Sequence, residues 1–242
     1  MIRLSALALL LGVAASFAPA PARTALGDAR AFDALVRAGS AREADAESAS
    51  EMRRNREALA AYAGALRLFA AADRAAPSPS ARRLVVRPFV AYTDLELGVA
   101  YDRAGNRSRA LAAWRDALGT VPVPDYATTV SPGDDLMRAR RWQAAFAAYA
   151  RGPRAPDDPA LRAAAGNNLR TAIALWRRAV AADPNGVRER YLLAAALYAS
   201  GRRSDAFAAW RDVIATRRVV TMQPPLTNYQ LAAARMLLAF FR

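Results

Sequence analysis

Residues 95–122 read LELGVAYDRAGNRSRALAAWRDALGTVP, two helix-forming runs separated by a turn at Gly105. Glycine adopts the left-handed conformation that ends a helix, so Gly105 is expected to close the first run. Ser108 follows at a position where its hydroxyl can cap the second helix. Pro122 cannot continue a helix and ends the second run. The stretch therefore predicts two helices joined by a tight turn.

Small and bulky residues alternate in this stretch as two closely packed helices require. The pattern resembles the tetratricopeptide repeat (TPR), with a Leu-Gly pair, a Tyr three residues after the Gly, Ala-x3-aromatic and a closing Pro. The matching residues are Leu97, Gly98, Tyr101, Ala110, Trp114 and Pro122, with Ala117 as a further small residue. The early Trp of the repeat is missing, and Asp94 stands in its place.

The Ala-x3-aromatic pair recurs along the chain, which favours a repeat array with a period of about 34 residues. Successive pairs begin 45, 35, 27 and 34 residues apart, at Ala65/Phe69, Ala110/Trp114, Ala145/Tyr149, Ala172/Trp176 and Ala206/Trp210. Residues 112–116 and 208–212 both read AAWRD. We therefore predict an all-α fold, a right-handed α-α superhelix of TPR-like helical hairpins.

The TPR resemblance implies a concave face, lined by the first helix of each repeat, that binds a peptide or a partner protein. The positions that it assigns to this groove are Tyr92, Leu95, Val99, Arg103, Arg188, Tyr191 and Tyr198. Packing between repeats is the alternative for Tyr191 and Tyr198. The Asn and Lys residues with which some TPR proteins clamp a terminal carboxylate do not appear in this pattern.

The N-terminus is typical of a secretory signal peptide: Arg3 precedes an apolar run at 4–18 and small residues with prolines. We predict residues 1–22 as the leader, cleaved near Ala22, and a periplasmic or secreted bacterial protein. An uncleaved anchor is the alternative, but about 15 apolar residues are fewer than a membrane span needs.

The mature chain is predicted to contain N-terminal helices at 23–80, the second of them TPR-like, and a repeat array at 86–242. Gly39 is expected to stop a helix over 28–38, residues 41–76 form one helix or a hairpin bent near Ser48 and Ser50, and 77–80 form a linker. Asp158-Pro159 indicates a helix start, and Asn167 takes the turn position that glycine holds elsewhere.

The C-terminal segment 227–241 opens with a capping box, Thr227 to Gln230, and is rich in apolar residues. It is predicted to cap the last repeat, with a dimer or membrane contact as the alternative. Residues 119–133 are predicted to be a long loop, either functional or a simple bridge.

Missing residue types exclude most catalytic and metal chemistry. The chain has no Cys, His or Lys, so thiol nucleophiles, Ser/His triads, zinc sites of the usual kind and Schiff-base lysines are ruled out. Only carboxylates remain, and the pairs Asp134-Asp135 and Asp157-Asp158 precede helices, where capping is expected. We therefore predict no enzyme activity, no catalytic residue, no cofactor and no metal site.

The charge is strongly positive, +14, from 35 basic residues, all Arg, and 21 acidic ones. Residues 23–121 carry 16 Arg and 12 acids (+4), and residues 122–242 carry 18 Arg and 9 acids (+9). Nucleotide bias accounts for much of this excess, and no basic run indicates a nucleic-acid partner. The sequence predicts an exported scaffold that binds a protein or peptide; the alternative is an Arg-dependent binder of anionic lipid or acidic envelope polymer.

Overall fold

A computed structural model describes residues 22–121, 132–152, 158–216 and 227–241. Within these ranges 84% of the residues are helical and no strand occurs. The prediction of an all-α protein is confirmed, and eleven helices pack mainly against their neighbours along the chain, which is consistent with a hairpin array. Residues 1–21 of the predicted leader (1–22) and residues 122–131 of the predicted 119–133 loop lie outside the described residues.

Residues 22–107 belong to a first compact unit. It contains α1 (Ala22–Glu51), α2 (Asn55–Ala75) and α3, which runs continuously through a short turn (Pro79–Ala81), a π-helical segment (Arg82–Val86) and a regular helix (Arg87–Arg103). Helix α2 packs against both α1 and α3. The hydrophobic core of this unit includes Phe69, which stacks on Phe89 with ring centroids 5.3 Å apart.

The second compact unit begins at Ser108 and includes residues 227–241. Its helices are α4 (Arg107–Thr120), α5 (Pro132–Arg138), α6 (Trp142–Ala150), α7 (Pro159–Ala165), α8 (Leu169–Ala182), α9 (Val187–Ala199), α10 (Arg203–Ile214) and α11 (Asn228–Phe240). From α5 onward each helix packs against the next, and α11 also contacts α9 and α5. The boundary between the two units falls in the first turn of α4.

Five turns share one backbone geometry, and each ends a helix with a residue of positive φ. In each turn, the N–H of the following residue donates to the carbonyl five residues earlier at 2.8 or 2.9 Å, which satisfies an end-of-helix carbonyl. The residues with positive φ are Arg53, Gly105, Arg140, Asn167 and Gly201. The predicted turns at Gly105 and Asn167 are confirmed, and two arginines hold a conformation that favours glycine.

Each of these turns is followed at a fixed distance by a small residue and an aromatic one. Five residues after the turn residue stands a buried Ala, and nine residues after it stands Tyr62, Trp114, Tyr149, Trp176 or Trp210. In the first turn the alanine is Ala58, so the matching pair is Ala58/Tyr62 and the predicted pair Ala65/Phe69 lies seven residues too late. The three tryptophans occupy equivalent positions after their turns, as the repeat pattern predicts.

Several helix ends lie where the sequence predicts them. Asp158 accepts from the backbone N–H of Leu161, and Thr227 and Gln230 form a complete capping box. The bend of the first hairpin lies at residues 52–54, just after the predicted serines. Ser108 is already inside α4 and therefore does not cap it, and Gly119 belongs to α4 rather than to a loop.

The predicted helix stop at Gly39 is wrong, because α1 continues through it to Glu51. A β-carbon at Gly39 would lie 2.5 Å from a carbon of the Phe69 ring. The residue is therefore small because α1 and α2 approach each other closely there, and not because the helix ends.

We expect Gly39→Ala to destabilise the first unit by about 1–3 kcal/mol, since the fully buried Phe69 ring has to shift. Gly119→Ala is the matched control, because its β-carbon meets nothing within 4 Å. It should stabilise α4 by about 0.5–1 kcal/mol through helix propensity. Urea unfolding followed by circular dichroism measures both changes. Equal or higher stability of Gly39→Ala would contradict the close approach, and Phe69→Leu should partly restore the variant if the ring is the cause.

Candidate functional site

The predicted groove positions of the first unit lie on α3, and three of them are inside the protein. Tyr92, Leu95 and Val99 have at most 1% of their surface exposed, whereas Arg103 is exposed. All residues from 91 to 100 are buried. In this conformation the three buried side chains serve packing, and Arg103 alone offers surface to a partner.

Polar side chains join α3 to α1 inside this unit. The Tyr92 hydroxyl donates to Glu47 Oε1 at 2.9 Å, and Thr93 donates to Glu43. Near the end of α3, Arg103 donates to Ser50 Oγ at 2.8 Å. The contacts join residues 45 to 53 positions apart in sequence. They fix the register of α1 against α3, because a buried polar group without a partner would be costly.

Glu96 of α3 is also buried in this region. Burial raises the pKa of its carboxyl group well above the ordinary value of 4.5, the nearby Glu47 raises it further, and the Arg103 guanidinium opposes both. The Tyr62 hydroxyl is fully buried in this region, and burial raises its pKa as well. The region therefore favours a neutral Glu96.

In the second unit the predicted residue Tyr191 lies at the centre of a buried polar contact. Its hydroxyl and that of Tyr149 both donate to Asp134 Oδ1. Helices α5, α6 and α9 are thereby joined at one carboxyl oxygen, although Tyr191 and Asp134 are 57 residues apart. Asp134 lies within the first turn of α5, where its side chain is buried and accepts from the two tyrosines.

The surroundings of Asp134 are tightly packed. A β-carbon at the neighbouring Gly133 would lie 2.4 Å from the Tyr149 ring. Burial raises the pKa of Tyr149, and Asp134 raises it further; burial likewise raises that of Tyr191. Both hydroxyl groups therefore keep their protons and remain donors. The arrangement is that of a structural contact between helices.

Arg188, the predicted residue at the start of α9, forms two ion pairs. Its Nη1 lies 3.0 Å from Asp158 Oδ2 and 3.0 Å from Glu189 Oε1, and 19% of its side chain is exposed. Since Asp158 also caps α7, Arg188 links the starts of α7 and α9. The predicted capping by Asp158 is confirmed, while Asp157 lies outside the described residues.

Tyr198, at the end of α9, is half-buried in an aromatic cluster. Its ring centroid lies 4.7 Å from that of Phe240, 5.3 Å from Trp142 and 5.9 Å from Phe207. Trp210 lies beneath and is fully buried. Tyr198 is thus the predicted aromatic groove residue with accessible surface.

Helix α11 explains why α9 is largely covered. Tyr229 near its start lies 5.6 Å from Tyr191, and Phe240 at its end stacks on Tyr198, so the two helices run parallel. The face of α9 that the sequence assigns to a partner is therefore contacted by the C-terminal helix. The sequence shows that α11 is rich in apolar residues, but no local pattern specifies which helix it packs against.

No group of three or more Asp, Glu, His or Cys side chains in the described ranges is arranged to hold a metal ion. No helix in those ranges is both long and apolar enough to cross a lipid bilayer. Sequence reasoning missed the acceptors Glu43 and Glu47. It identified Tyr149 as the aromatic residue of a repeat pair but not as a donor to Asp134. The helical spacing of these residues can be read from the sequence, but the buried groups that they contact cannot.

Comparison of the chain with known proteins found no match to a family model, to a curated protein or to a solved structure.

We expect Asp134→Ala to destabilise the second unit by about 2–4 kcal/mol, because two buried tyrosine hydroxyls lose their acceptor. Asp135→Ala is the matched control: Asp135 is exposed and pairs with Arg138 one helical turn away, so its loss should cost no more than about 0.5 kcal/mol. All four tryptophans lie in this unit. Tryptophan fluorescence during urea unfolding therefore measures the change, and similar costs for both variants would contradict the shared acceptor.

We expect the first unit to lose stability as the pH rises. Above about pH 4.5 the unfolded chain releases the proton of Glu96 while the folded unit retains it, because the folded pKa is raised. One such proton lowers stability by at most about 1.4 kcal/mol per pH unit, until the folded pKa is passed.

Glu96→Gln should remove this part of the pH dependence and stabilise the unit at neutral pH. Glu57→Gln, at an exposed residue paired with Arg54, is the control and should leave the dependence unchanged. Circular dichroism follows both units and tryptophan fluorescence only the second, so the difference between the two urea curves reports on the first. A pH dependence unchanged by Glu96→Gln would rule out this role.

Proposed function

We propose that the protein is an exported TPR-like scaffold that binds a partner protein through the first helices of its repeats. The observation that carries the proposal is the recurring turn, with a buried Ala five residues later and an aromatic residue nine residues later. Such repetition is typical of solenoid proteins, in which each repeat packs on the next and one helix of each contributes to a shared binding surface.

The surface available for binding is smaller than the sequence pattern suggests. Tyr92, Leu95, Val99 and Tyr191 support the scaffold from within. Arg103 and Tyr198 remain as the predicted positions with accessible side chains, together with part of Arg188. Arginine and tyrosine are side chains that contribute strongly to interfaces, because both combine a large contact area with hydrogen bonding.

The proposed location is the periplasm or the exterior of a bacterial cell. It is supported by the leader pattern of residues 1–22. The absence of cysteine is compatible with an oxidising compartment, since no stray thiol can form a mixed disulfide there.

The alternative function is Arg-dependent binding of anionic lipid or acidic polymer, and one helix favours it. Helix α8 has Arg170, Arg177 and Arg178 exposed along its length and contains no acidic residue. Its opposite face, with Ile173 and Trp176, is buried. Binding through this helix would weaken as salt rises, because surface electrostatic attraction is screened.

Site-specific photocrosslinking tests the scaffold proposal. A photoreactive amino acid at Arg103, on the first helix of the clearest repeat, should give discrete adducts with a partner in cells of the source organism. The same group at Ala112, exposed on the second helix of that repeat, should not. Ala208 is a second control at the matching position of the other AAWRD segment. Identical adducts from all three positions, or none from Arg103, would contradict a specific first-helix surface.

A further inference from the structure

Aromatic side chains from several helices of the second unit meet at the ends of α9 and α11. Tyr198 stacks on Phe240, and the rings of Trp142, Phe207 and Trp210 lie within 6 Å of Tyr198. Trp210 and Phe240 are buried, whereas Trp142, Tyr198 and Phe207 keep part of their surface in solvent. Partly exposed aromatic rings that pack on buried ones are typical of binding surfaces, since packing leaves them little conformational freedom to lose when a ligand covers them.

Two guanidinium groups lie on this cluster. Arg140 Cζ is 5.7 Å from the centroid of Phe240, and Arg203 Cζ is 5.8 Å from that of Tyr198. The stacked pair of Tyr198 and Phe240 therefore carries a guanidinium at each ring. We call Arg140, Trp142, Tyr198, Arg203, Phe207 and Phe240 the aromatic–arginine patch.

The two patch arginines differ from their neighbours in sequence. Arg138 pairs with Asp135 and Arg202 pairs with Asp205. Arg140 and Arg203 are exposed, and neither forms an ion pair with a carboxylate of the described ranges. A guanidinium held over a ring keeps its N–H groups around its edge, where they can donate to both oxygens of a carboxylate.

We propose that the aromatic–arginine patch binds an acidic peptide segment of a partner protein. Carboxylates of the segment pair with Arg140 and Arg203, and an apolar side chain beside them packs on Trp142 and Tyr198. The inference rests on the proposed protein-binding function and names the chemistry of the partner, at a surface that the repeat pattern did not assign apart from Tyr198.

Charge complementarity and ring exposure together favour a peptide over a membrane. An anionic membrane would attract any exposed arginine, including those of α8, and would give no special weight to these two. The patch instead combines a small apolar surface with two positive groups at its rings. An acidic segment with an aromatic or large aliphatic residue can contact the rings and pair with the arginines. An anionic lipid headgroup can pair with the arginines but offers nothing for the rings.

Fluorescence anisotropy with the full chain tests the proposal. The probe is a labelled peptide in which Asp and Glu flank Phe; one control peptide has Asn and Gln for the acids, and another has Ala for Phe. We expect Arg140→Gln/Arg203→Gln to raise the Kd for the acidic probe at least about tenfold. Arg138→Gln/Arg202→Gln removes the same charge from the same turns and should change the Kd less than about threefold. Both control peptides should bind more weakly than the probe.

Equal weakening by the two double variants, or no binding of the acidic probe, would overturn the proposal. Arg140→Lys/Arg203→Lys keeps the charge but loses the planar donors, so it should still weaken binding; it also provides a test if the Gln variant fails to fold. Sedimentation with phosphatidylserine vesicles is the second arm, and vesicle binding lost specifically in the Arg140/Arg203 variants would make a membrane the ligand instead. Crosslinks from Arg103 that persist while the peptide fails to bind would leave the scaffold proposal standing and reject only this patch.

Discussion

The left-handed residue that ends five of the helices is the constraint behind the regular spacing of buried residues along the chain. At each of the five places two backbone hydrogen bonds close the helix: the left-handed residue donates to the carbonyl three residues before it, and the next residue donates to the carbonyl five residues before itself. The helix after each turn carries a buried Ala five residues after the left-handed residue and an aromatic residue nine residues after it. The cost of positive φ at Arg53 and Arg140, of order 1 kcal/mol each, is offset by the packing that it permits.

Buried polar groups add specificity to a core made largely of alanine. Small side chains let helices approach closely but distinguish poorly between alternative registers, because one alanine face resembles another. In the first unit the contacts of Tyr92 and Thr93 with two glutamates of α1 select one register. In the second unit Asp134 does the same for three helices. A buried polar group that loses its hydrogen-bond partner costs free energy, so packing of the helices in another register is disfavoured.

The predicted groove positions divide into buried residues and residues with accessible surface. The TPR resemblance assigns Tyr191 to a groove, with packing between repeats as the alternative. Tyr191 donates a hydrogen bond inside the protein because α5 and α11 reach α9. Tyr198, seven residues later, keeps accessible surface and joins two arginines in the aromatic–arginine patch. The same helix therefore supplies a structural residue and a proposed binding residue, and their difference arises from the helices that cover them.

The amino-acid pattern is enough to predict the helical class, the turns at Gly105 and Asn167, the caps at Asp158 and Thr227 and the spacing of the last four Ala-aromatic pairs. These features are local, since they depend on backbone preferences and on residues within one or two helical turns. Three further features follow from the folded arrangement: Gly39 accommodates Phe69, the first pair is Ala58/Tyr62, and some tyrosines are buried while others are not. Those outcomes depend on contacts between residues dozens of positions apart, and helical periodicity specifies which residues share a face but not which helix covers it.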